Sequence, residues 1–511
     1  MDIRDYFSYE LTSEPTALFT NSCMRKPDKP AILRHVLKNQ EAEDVPTHFL
    51  FVLDGGALLH RVRWVKGSRF LDVLQQYATY IGNKYGRHPT VVFDGYGHGP
   101  TTKDHEHQRR SMKVVTRCPD VSFDDQTPVI FEQHAFLAND RNKDRFIHLL
   151  MLHLDLHGCR TMQSDGDADI DIVKEALTLA STKQAPVAVV GDDTDLLVLL
   201  THHWTEDSAD IWFCSEARKK GADTAKPISI CTVRRKLGHK ACQQILAVHA
   251  FGGCDTTSAV FGHGKGNILK RVTATKGSNM QTDIMQKLDV SQDEVAEAGH
   301  RLMVSIYGGT AQDNLNNMRY NSYCILSASS RAELKPQKLP PTERAVYFHS
   351  LRAHLQAVVW KYLRTDDLDP MQWGWHLVND KLHPVMTDLF PAPESLANII
   401  RCKCKTTCAT MMCSCRKQGH TCFSACEHCH GESCSNVTRV PAAVAEDSKW
   451  SDDVFYDSDV DWLFEETVAT VDEMVEEVSK IVKATATCII LMPSFTNKNV
   501  FTMLLTCAAV S

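Results

Sequence analysis

The sequence predicts an α/β protein whose parallel, twisted sheet carries helices on both faces. Two observations predict this class. Short, wholly apolar runs alternate with stretches of helical periodicity, which is typical of parallel strands covered on both sides. Hydrophobic residues make up 43% of the 511 residues, enough for a large core. That composition excludes a wholly disordered or collagen-like chain.

The predicted strands are apolar runs over residues 48–54, 90–95, 185–193 and 209–214. A helix over 69–83 follows the first of them. Further along, a capping box formed by Ser291 and Glu294 predicts the start of a helix that runs to about Tyr307. Another helix should begin after Pro341. Its spacing predicts that it packs on a core through one apolar face, formed by Phe348, Leu351, Leu355, Val358 and Tyr362.

Changes of composition along the chain suggest five parts. An extension over 1–46 wraps on the main α/β domain, which covers 47–310. A helical connecting segment, to which we assign a structural role, covers 311–398. A cysteine-rich module covers 399–440, and an acidic tail over 441–511 is predicted to be largely disordered.

The charge of the chain is unevenly distributed. Lys and Arg total 56 and Asp and Glu total 63, a formal net charge of −7. Residues 446–477 alone carry −12, which leaves the rest of the chain at +5. A mildly basic folded part suits a nucleic-acid partner. The acidic tail has aromatic residues among its charges and is a candidate binding segment for a protein partner.

Aspartates recur at the ends of the predicted strands and in turns before helices. A lone aspartate there is commonly a helix N-cap, but here five separate segments carry one near the edge where such sheets bind ligands. Phosphodiester hydrolysis can use such a cluster, because two Mg²⁺ or Mn²⁺ ions about 4 Å apart activate a water and stabilise the leaving oxygen. Both ions take carboxylate ligands. The candidate catalytic aspartates are Asp54, Asp94, Asp167, Asp169, Asp193, Asp195 and Asp255.

In order and spacing, these aspartates resemble those of the flap-endonuclease branch of the PIN-like nucleases. The matching stretches are FVLDGG, VFDG, DAD, DTD and GGCD, within roughly residues 47–275. The resemblance implies a PIN-like fold, a two-metal carboxylate site and nuclease activity. Two features depart from the family pattern. The usual Glu-x-Glu pair is Asp167 and Asp169 here, and Thr256 stands where a tyrosine usually follows the last aspartate.

Basic residues follow the second and the last of these aspartates. The resemblance places Lys103 and Arg110 beside the scissile phosphate, where a cation offsets charge that develops on the phosphoryl group. Arg109 and Lys113 lie in the same stretch and are candidate nucleic-acid contacts, with a solvated charged face as the alternative. Lys265 lies in a glycine-flanked turn before a helix, where backbone N–H groups can meet a phosphate. An ordinary chain reversal is the alternative for that turn.

Cysteines crowd into the segment that follows the helical part. The chain has 19 cysteines. In a reducing compartment a dense cluster is more typical of metal binding than of disulfides. Zn²⁺ takes four thiolates, so about three ions could be held if three of nine cysteines bridge. The predicted ligands are Cys402, Cys404, Cys408, Cys413, Cys415, Cys422, Cys426, Cys429 and Cys434.

The cysteine spacing C-x-C-x3-C-x4-C-x-C-x6-C-x3-C-x2-C-x4-C-x-N resembles the tesmin-type CXC domain. The resemblance implies a small zinc module that binds DNA. The order of the two domains also resembles multi-copy animal proteins that join them. Candidate DNA contacts are Lys403, Lys405, Arg416 and Lys417. A purely architectural zinc cluster is the alternative.

These features together predict a divalent-metal-dependent endo- or exonuclease that acts on DNA or RNA and is docked by its zinc module. The alternative is a non-catalytic DNA-binding or chromatin-associated protein that uses the same domain as a scaffold. The DNA-directed modules favour DNA as the partner and a nuclear location. The N-terminus has charges where a signal peptide needs an apolar run, and no stretch approaches the length of a membrane helix. We therefore expect an intracellular protein with no membrane partner.

Overall fold

A computed structural model gives the structure of the protein. It describes residues 3–27, 44–86, 88–95, 99–103, 118–216, 226–275, 277–329, 335–364, 368–394, 401–405, 407–417, 421–423, 426–431 and 434–436. The acidic tail predicted over 441–511 lies outside these residues. Within them, no helix has both the length and the apolar character that crossing a membrane requires.

Strands and helices alternate along the first half of the chain. The strands are β1 (Phe19–Thr20), β2 (Cys23–Met24), β3 (Leu50–Asp54), β4 (Thr90–Phe93), β5 (Arg160–Gln163), β6 (Val187–Val190), β7 (Ile211–Cys214), β8 (Ile228–Ser229), β9 (Trp375–Val378) and β10 (Lys381–Pro384). The α-helices are α1 (Ile3–Tyr6), α2 (Gly55–Leu58), α3 (Phe70–Tyr85), α4 (Gln133–Leu137), α5 (Asp140–Leu156), α6 (Ala168–Lys183), α7 (Thr194–His203), α8 (Ile230–Phe251), α9 (Lys265–Ala274), α10 (Ser278–Ile284), α11 (Gln292–Ile306), α12 (Leu315–Ser329), α13 (Glu343–Tyr362) and α14 (Ser414–Lys417). Short 3₁₀ turns cover Pro336–Lys338 and Pro370–Gln372.

A six-stranded sheet in the order β5-β4-β3-β6-β7-β8 forms the centre of the fold. The strands from β5 to β7 run parallel, and β8 pairs antiparallel with β7 at one edge. The chain runs from β3 outward to β5 and then returns to the other side of β3 as β6. The strand order therefore reverses beside β3, which is where parallel sheets bind ligands beyond their carboxyl ends.

Helices cover both faces of the sheet. Val52 and Val189 face a core cluster shared with α6, α7 and α8, whereas their neighbours Leu53 and Val190 face a second cluster shared with α3 and α5. This alternation follows from the two-residue period of a strand. It explains why the strands read as unbroken apolar runs, and the predicted α/β class, with a mainly parallel sheet covered on both faces, is confirmed.

Helix α13 packs on the core through Leu351, Leu355 and Val358 as predicted, but its burial is not confined to one apolar face. It packs against α8 and α11, and it is buried on most of its circumference. Polar side chains that a one-sided helix would expose are enclosed, among them His349, Arg352 and His354. Arg352 donates to the carbonyl oxygen of Gly374 at 3.2 Å. Tyr362, predicted to face the core, is 38% exposed.

Two strands of the central sheet were missed by the apolar-run criterion. Strand β5 is largely polar, and β8 has only two residues. Both lie at edges of the sheet, where fewer neighbours bury the side chains. By contrast, helix α11 begins at the predicted place, with Ser291 and Glu294 forming the reciprocal hydrogen bonds of the capping box.

Candidate active site and cysteine cluster

Three candidate aspartates lie at the carboxyl ends of neighbouring strands. Asp54 ends β3, and its Oδ1 accepts a hydrogen bond from a backbone N–H of α2 at 3.1 Å. Asp94 follows β4, and its Oδ1 accepts from the first N–H of α6 at 3.2 Å. Asp193 follows β6, and its Oδ1 accepts from the N–H of Asp195 at 3.0 Å. Each carboxylate is thus oriented through one oxygen by backbone that the sheet holds in place.

Two glycines allow the chain to pass close to these carboxylates. A Cβ atom on Gly56 would lie 3.2 Å from Oδ1 of Asp54 and 3.3 Å from Oδ2 of Asp94. A Cβ atom on Gly191 would lie 2.7 Å from a methyl group of Leu196 and 3.3 Å from Cβ of Asp54. A side chain at either position would press on the carboxylates or their support, so glycine keeps this edge of the sheet open.

Helix α6 brings two further carboxylates to the same edge, where Lys103 from another segment contacts them. Asp167 caps the helix and Asp169 lies in its first turn. Nζ of Lys103 lies 2.5 Å from Oδ2 of Asp167 and 4.0 Å from Oδ2 of Asp169. Burial lowers the pKa of Lys103, but Asp167, Asp169 and Asp255 outweigh it and hold the pKa well above the usual lysine value. Lys103 is therefore a constant positive charge among the carboxylates.

The carboxylates oppose one another's ionisation. Burial is the main cause that raises the pKa of Asp54 to about 6. The negative charges of Asp94 and Asp193 also raise this pKa, whereas hydrogen bonds from the backbone lower it. Burial followed by repulsion from Asp167 raises the pKa of Asp169 well above the usual aspartate value. Negative charge at this edge exceeds what Lys103 balances, a situation that bound cations relieve.

The carboxylate oxygens do not converge on a single point. Within the described part of the chain, the groups whose ligand atoms all lie within 4.8 Å of one another are groups of cysteines. The aspartates are anchored by separate helix caps and repel one another, so they are spread more widely than the ligand shell of one ion. A spread set is compatible with the predicted pair of ions rather than with a single closed site.

The last predicted aspartate, Asp255, lies in a tight turn after α8. Gly253 has a φ of +103°, and a Cβ atom there would lie 2.6 Å from the backbone of Ala259. The hydroxyl of Thr256, the residue that departs from the family pattern, donates to Oε1 of Gln356 at 2.6 Å. Helix α13 thus fixes the turn that carries Asp255, a contribution that the sequence did not predict for this segment.

Lys265 does not lie where a nucleic acid could reach it, which corrects the prediction that it contacts phosphate. Its side chain is 2% exposed, and Nζ lies 3.0 Å from Nδ1 of His249. Nε2 of His249 in turn lies 2.7 Å from Oδ1 of Asp195. The side chain of Lys265 is enclosed where α9 packs against α8, although Gly264, which precedes it, is exposed.

His249 and Gln356 were not identified from the sequence. Each lies on a helix at a position that carries no motif. His249 contacts the candidate site residue Asp195, and Gln356 contacts Thr256, the neighbour of Asp255. Trp360 packs on the imidazole of His249 with ring centroids 5.3 Å apart. No local signal could have found these residues, because their partners are 54 and 100 positions away.

Asp192 is directed away from the other aspartates. It forms an ion pair with Arg61, and its Oδ1 accepts from the hydroxyl of Ser215 at 3.1 Å and from the N–H of Glu216 at 3.0 Å. The turn after β6 therefore sends neighbouring carboxylates to two different places. Of the other predicted phosphate and nucleic-acid contacts in this domain, Arg109, Arg110 and Lys113 lie outside the described residues.

The nine cysteines of residues 402–434 form one cluster, and all but Cys404 are buried. Burial raises the pKa of the Cys402 thiol to about 12. In the part of the chain that the structure describes, Cys402 belongs to every group of four sulfurs that lie within 4.8 Å of one another, and Cys408 and Cys422 each belong to two. Those groups are Cys402/Cys404/Cys408/Cys413, Cys402/Cys408/Cys422/Cys429 and Cys402/Cys415/Cys422/Cys426. Sulfurs shared between groups are the arrangement that bridging thiolates require, and the chemistry of the set fits a thiophilic metal such as zinc.

The basic residues of the cysteine module differ in their surroundings. Arg416 donates from Nε to the carbonyl oxygen of Cys408 at 2.9 Å and from Nη2 to that of Ser435 at 3.1 Å. It therefore ties the two ends of the module together, a structural role that was not predicted. Lys403 lies 3.8 Å from Glu427 on the surface, and Lys405 and Lys417 are also exposed.

Comparisons with known proteins concern the fold. No family model matches the chain, and no curated protein matches it significantly. Among solved structures, the T5 D15 protein co-crystallised with metal ions is similar, with a TM-score of 0.31, 14% identity, and coverage of 62% of this chain and 91% of that one. The catalytic core of Rad2 in complex with DNA substrate has a TM-score of 0.30, 15% identity and coverage of 61% and 88%. The Holliday junction-resolving enzyme GEN1 with product DNA and Mg²⁺ has a TM-score of 0.31, 13% identity and coverage of 66% and 63%.

Proposed function

We propose that this chain is a divalent-metal-dependent nuclease that hydrolyses phosphodiester bonds in DNA or RNA. The observation that carries the proposal is the meeting of aspartates from five segments with Lys103 at the carboxyl edge of the sheet. A donor set made only of carboxylates suits Mg²⁺ or Mn²⁺. The raised pKa values of Asp54 and Asp169 indicate negative charge that such ions would balance.

The residues at this edge have separable tasks in the proposed reaction. The ions, when bound, supply activation of water and stabilisation of charge on the phosphoryl oxygens. The residues that would hold them are Asp54, Asp94, Asp167, Asp169, Asp193, Asp195 and Asp255. The backbone N–H groups of α2 and α6 keep the carboxylates of Asp54 and Asp94 oriented without needing a bound ion. Lys103 supplies a fixed cation that can face the substrate phosphate.

We further propose that the cysteine module holds about three Zn²⁺ ions and helps to dock nucleic acid. The exposed lysines of the module, Lys403, Lys405 and Lys417, would contact the phosphate backbone, which positions a protein without reading sequence. In this proposal the protein acts on DNA in the nucleus, and the acidic tail binds a protein partner.

Cleavage by the purified, zinc-loaded full-length chain tests the proposal. Single-stranded, flap and duplex DNA, with matching RNA substrates, are incubated with Mg²⁺, with Mn²⁺ and in buffer free of both. We expect cleavage only when one of the ions is present. If the protein binds these substrates but cleaves none of them, the result would contradict the nuclease and support the non-catalytic DNA-binding alternative.

Replacing Lys103 by methionine is expected to lower the cleavage rate roughly a hundredfold, the usual effect of removing one charge-stabilising group. The change keeps the length of the side chain and removes the cation between Asp167 and Asp169. Lys174→Met is the matched control. Lys174 pairs with Asp171 at 3.6 Å further along α6, the helix that Asp167 caps. Equal rates for the two variants would remove Lys103 from the proposed site.

Asp54 is expected to contribute more stability at about pH 5 than at about pH 7.5 in the zinc-loaded protein without Mg²⁺. Between about pH 4 and pH 6 the folded chain retains a proton on Asp54 that the unfolded chain has lost, so its contribution to stability falls as pH rises. Added Mg²⁺ should therefore raise the melting temperature more at the higher pH. Thermal unfolding of the zinc-loaded protein with and without Mg²⁺ at both pH values measures this, and Asp54→Asn should reduce the difference. If Mg²⁺ raises the melting temperature equally at both pH values, the result would contradict the crowding of negative charge around Asp54.

A further inference from the structure

We propose that His249 and Lys265 are positioning residues that fix the carboxylate of Asp195 through a buried chain of polar contacts. The inference rests on the proposed function, because it assigns Asp195 to the metal site. Lys265 begins α9, His249 lies in the last turn of α8, and Asp195 lies in the first turn of α7. Three helices therefore meet at this contact.

The contact is enclosed and its geometry is close. His249 is 0%, Lys265 2% and Asp195 5% exposed. Nε2 of His249 lies 2.7 Å from Oδ1 of Asp195, and Nζ of Lys265 lies 3.0 Å from Nδ1 and 3.2 Å from Nε2 of the same ring. Trp360 packs on the imidazole and limits its rotation.

The hydrogen-bonding properties of Lys265, His249 and Asp195 determine which group donates and which accepts in each contact. The carboxylate of Asp195 only accepts, so Nε2 of His249 carries the ring proton and donates a hydrogen bond to it. An ammonium group only donates, so Nδ1, the ring nitrogen without a proton, is the acceptor for Lys265. A carboxylate held in this way keeps one orientation, and outer partners that orient a metal ligand typically raise metal affinity tenfold to a hundredfold.

A purely structural role does not account for this placement. A buried ionic contact is weak evidence for stability, because apolar residues of similar volume often stabilise a core at least as well. Here the buried lysine contacts the histidine that holds Asp195, where its positive charge offsets repulsion among the carboxylates. The contact is therefore suited to preparing Asp195 for a cation.

Mn²⁺ affinity, measured by electron paramagnetic resonance of the free ion, tests the inference on the full-length zinc-loaded protein. Asp193→Asn identifies which bound Mn²⁺ belongs to the carboxylate site. We expect His249→Leu and Lys265→Met each to weaken that binding about tenfold or more. His249→Gln should recover most of the affinity, because its amide can donate from near the position of Nε2.

His354→Leu is the matched control for the loss of a buried histidine. His354 is also fully buried against a tryptophan, Trp373, at 4.3 Å, and its Nδ1 lies 3.2 Å from the carbonyl oxygen of Met285, away from the carboxylates. The His354→Leu substitution should change the melting temperature of the protein without changing its Mn²⁺ affinity. The inference is overturned if folded His249→Leu and Lys265→Met bind Mn²⁺ as tightly as the wild type. It is also overturned if His249→Gln recovers nothing, or if His354→Leu weakens binding equally.

The readout separates this inference from the proposed function. A wild type that binds Mn²⁺ at the carboxylate site but cleaves no substrate would refute the nuclease and leave the positioning test intact. A wild type that cleaves nucleic acid while His249→Leu keeps full Mn²⁺ affinity would overturn the positioning role alone.

Discussion

Asp193→Asn is expected to abolish metal-dependent cleavage, a fall of about a thousandfold or more in the rate. The asparagine keeps the size of the side chain and can still cap α7, so the fold should be retained. It removes a charge at the centre of the carboxylate group, where Asp193 acts on both Asp54 and Asp169. Metal ions contribute several kcal/mol of charge stabilisation to such reactions, and each ~1.4 kcal/mol lost is a tenfold change in rate.

The neighbouring Asp192→Asn is a stringent control for that variant. It makes the same chemical change in the same turn, but Asp192 is engaged by Arg61, Ser215 and Glu216 instead of the carboxylate group. We expect its cleavage rate to stay close to that of the wild type. Initial cleavage rates with saturating Mg²⁺, together with melting temperatures, are measured for both Asp193→Asn and Asp192→Asn. Residual cleavage by purified Asp193→Asn equal to that of Asp192→Asn would mean that the activity comes from elsewhere.

Cys402→Ser is expected to remove most of the zinc and to unfold the cysteine module. Cys402 belongs to each of the overlapping sulfur groups, so its loss affects every ion. A structural Zn²⁺ contributes on the order of 10 kcal/mol to the folding of a small module. The module offers little else, since its buried cluster consists of cysteines with Phe423 against them. The effect is measured as the number of zinc ions per chain, determined by elemental mass spectrometry. The susceptibility of residues 399–440 to proteolysis reports whether the module is unfolded.

Two further cysteine variants show whether the effect is specific. Cys404→Ser should lose less zinc than Cys402→Ser, because Cys404 belongs to one of the sulfur groups only. Cys324→Ser, on the exposed surface of α12, should retain the full zinc content. Identical zinc content in the variants at Cys402 and Cys324 would contradict a shared, bridged cluster.

The strands and the main site could be predicted because their signals are local. An apolar run such as VAVV at β6 is buried on both faces whatever surrounds it, and an aspartate directly after it must lie at the carboxyl edge. Parallel strands end on the same side, so Asp54, Asp94 and Asp193 are brought together by topology alone. The cysteine cluster is local as well, since short spacings leave its sulfurs few other places to lie.

The contacts between distant segments could not be predicted in this way. The helix at 343–362 looked one-sided because only its apolar residues were counted, yet the interior accepts His349 and Arg352, and distant carbonyl groups accept hydrogen bonds from one nitrogen of each. Lys265 looked like a phosphate contact because it lies in a glycine-flanked turn before a helix. Its burial depends on a histidine and an aspartate contributed by two other helices.

The sequence by itself determined the α/β class, the order of the carboxylates and the density of cysteines, because these follow from runs and spacings of a few residues. Only the tertiary structure decided which charges work together. It directed Asp193 and Asp192 to different partners, enclosed Lys265 behind Asp195, and used α13 to support the turn at Asp255. The physical reason is that a buried charge is stable only beside a partner, and the partner's position is set by how whole helices pack.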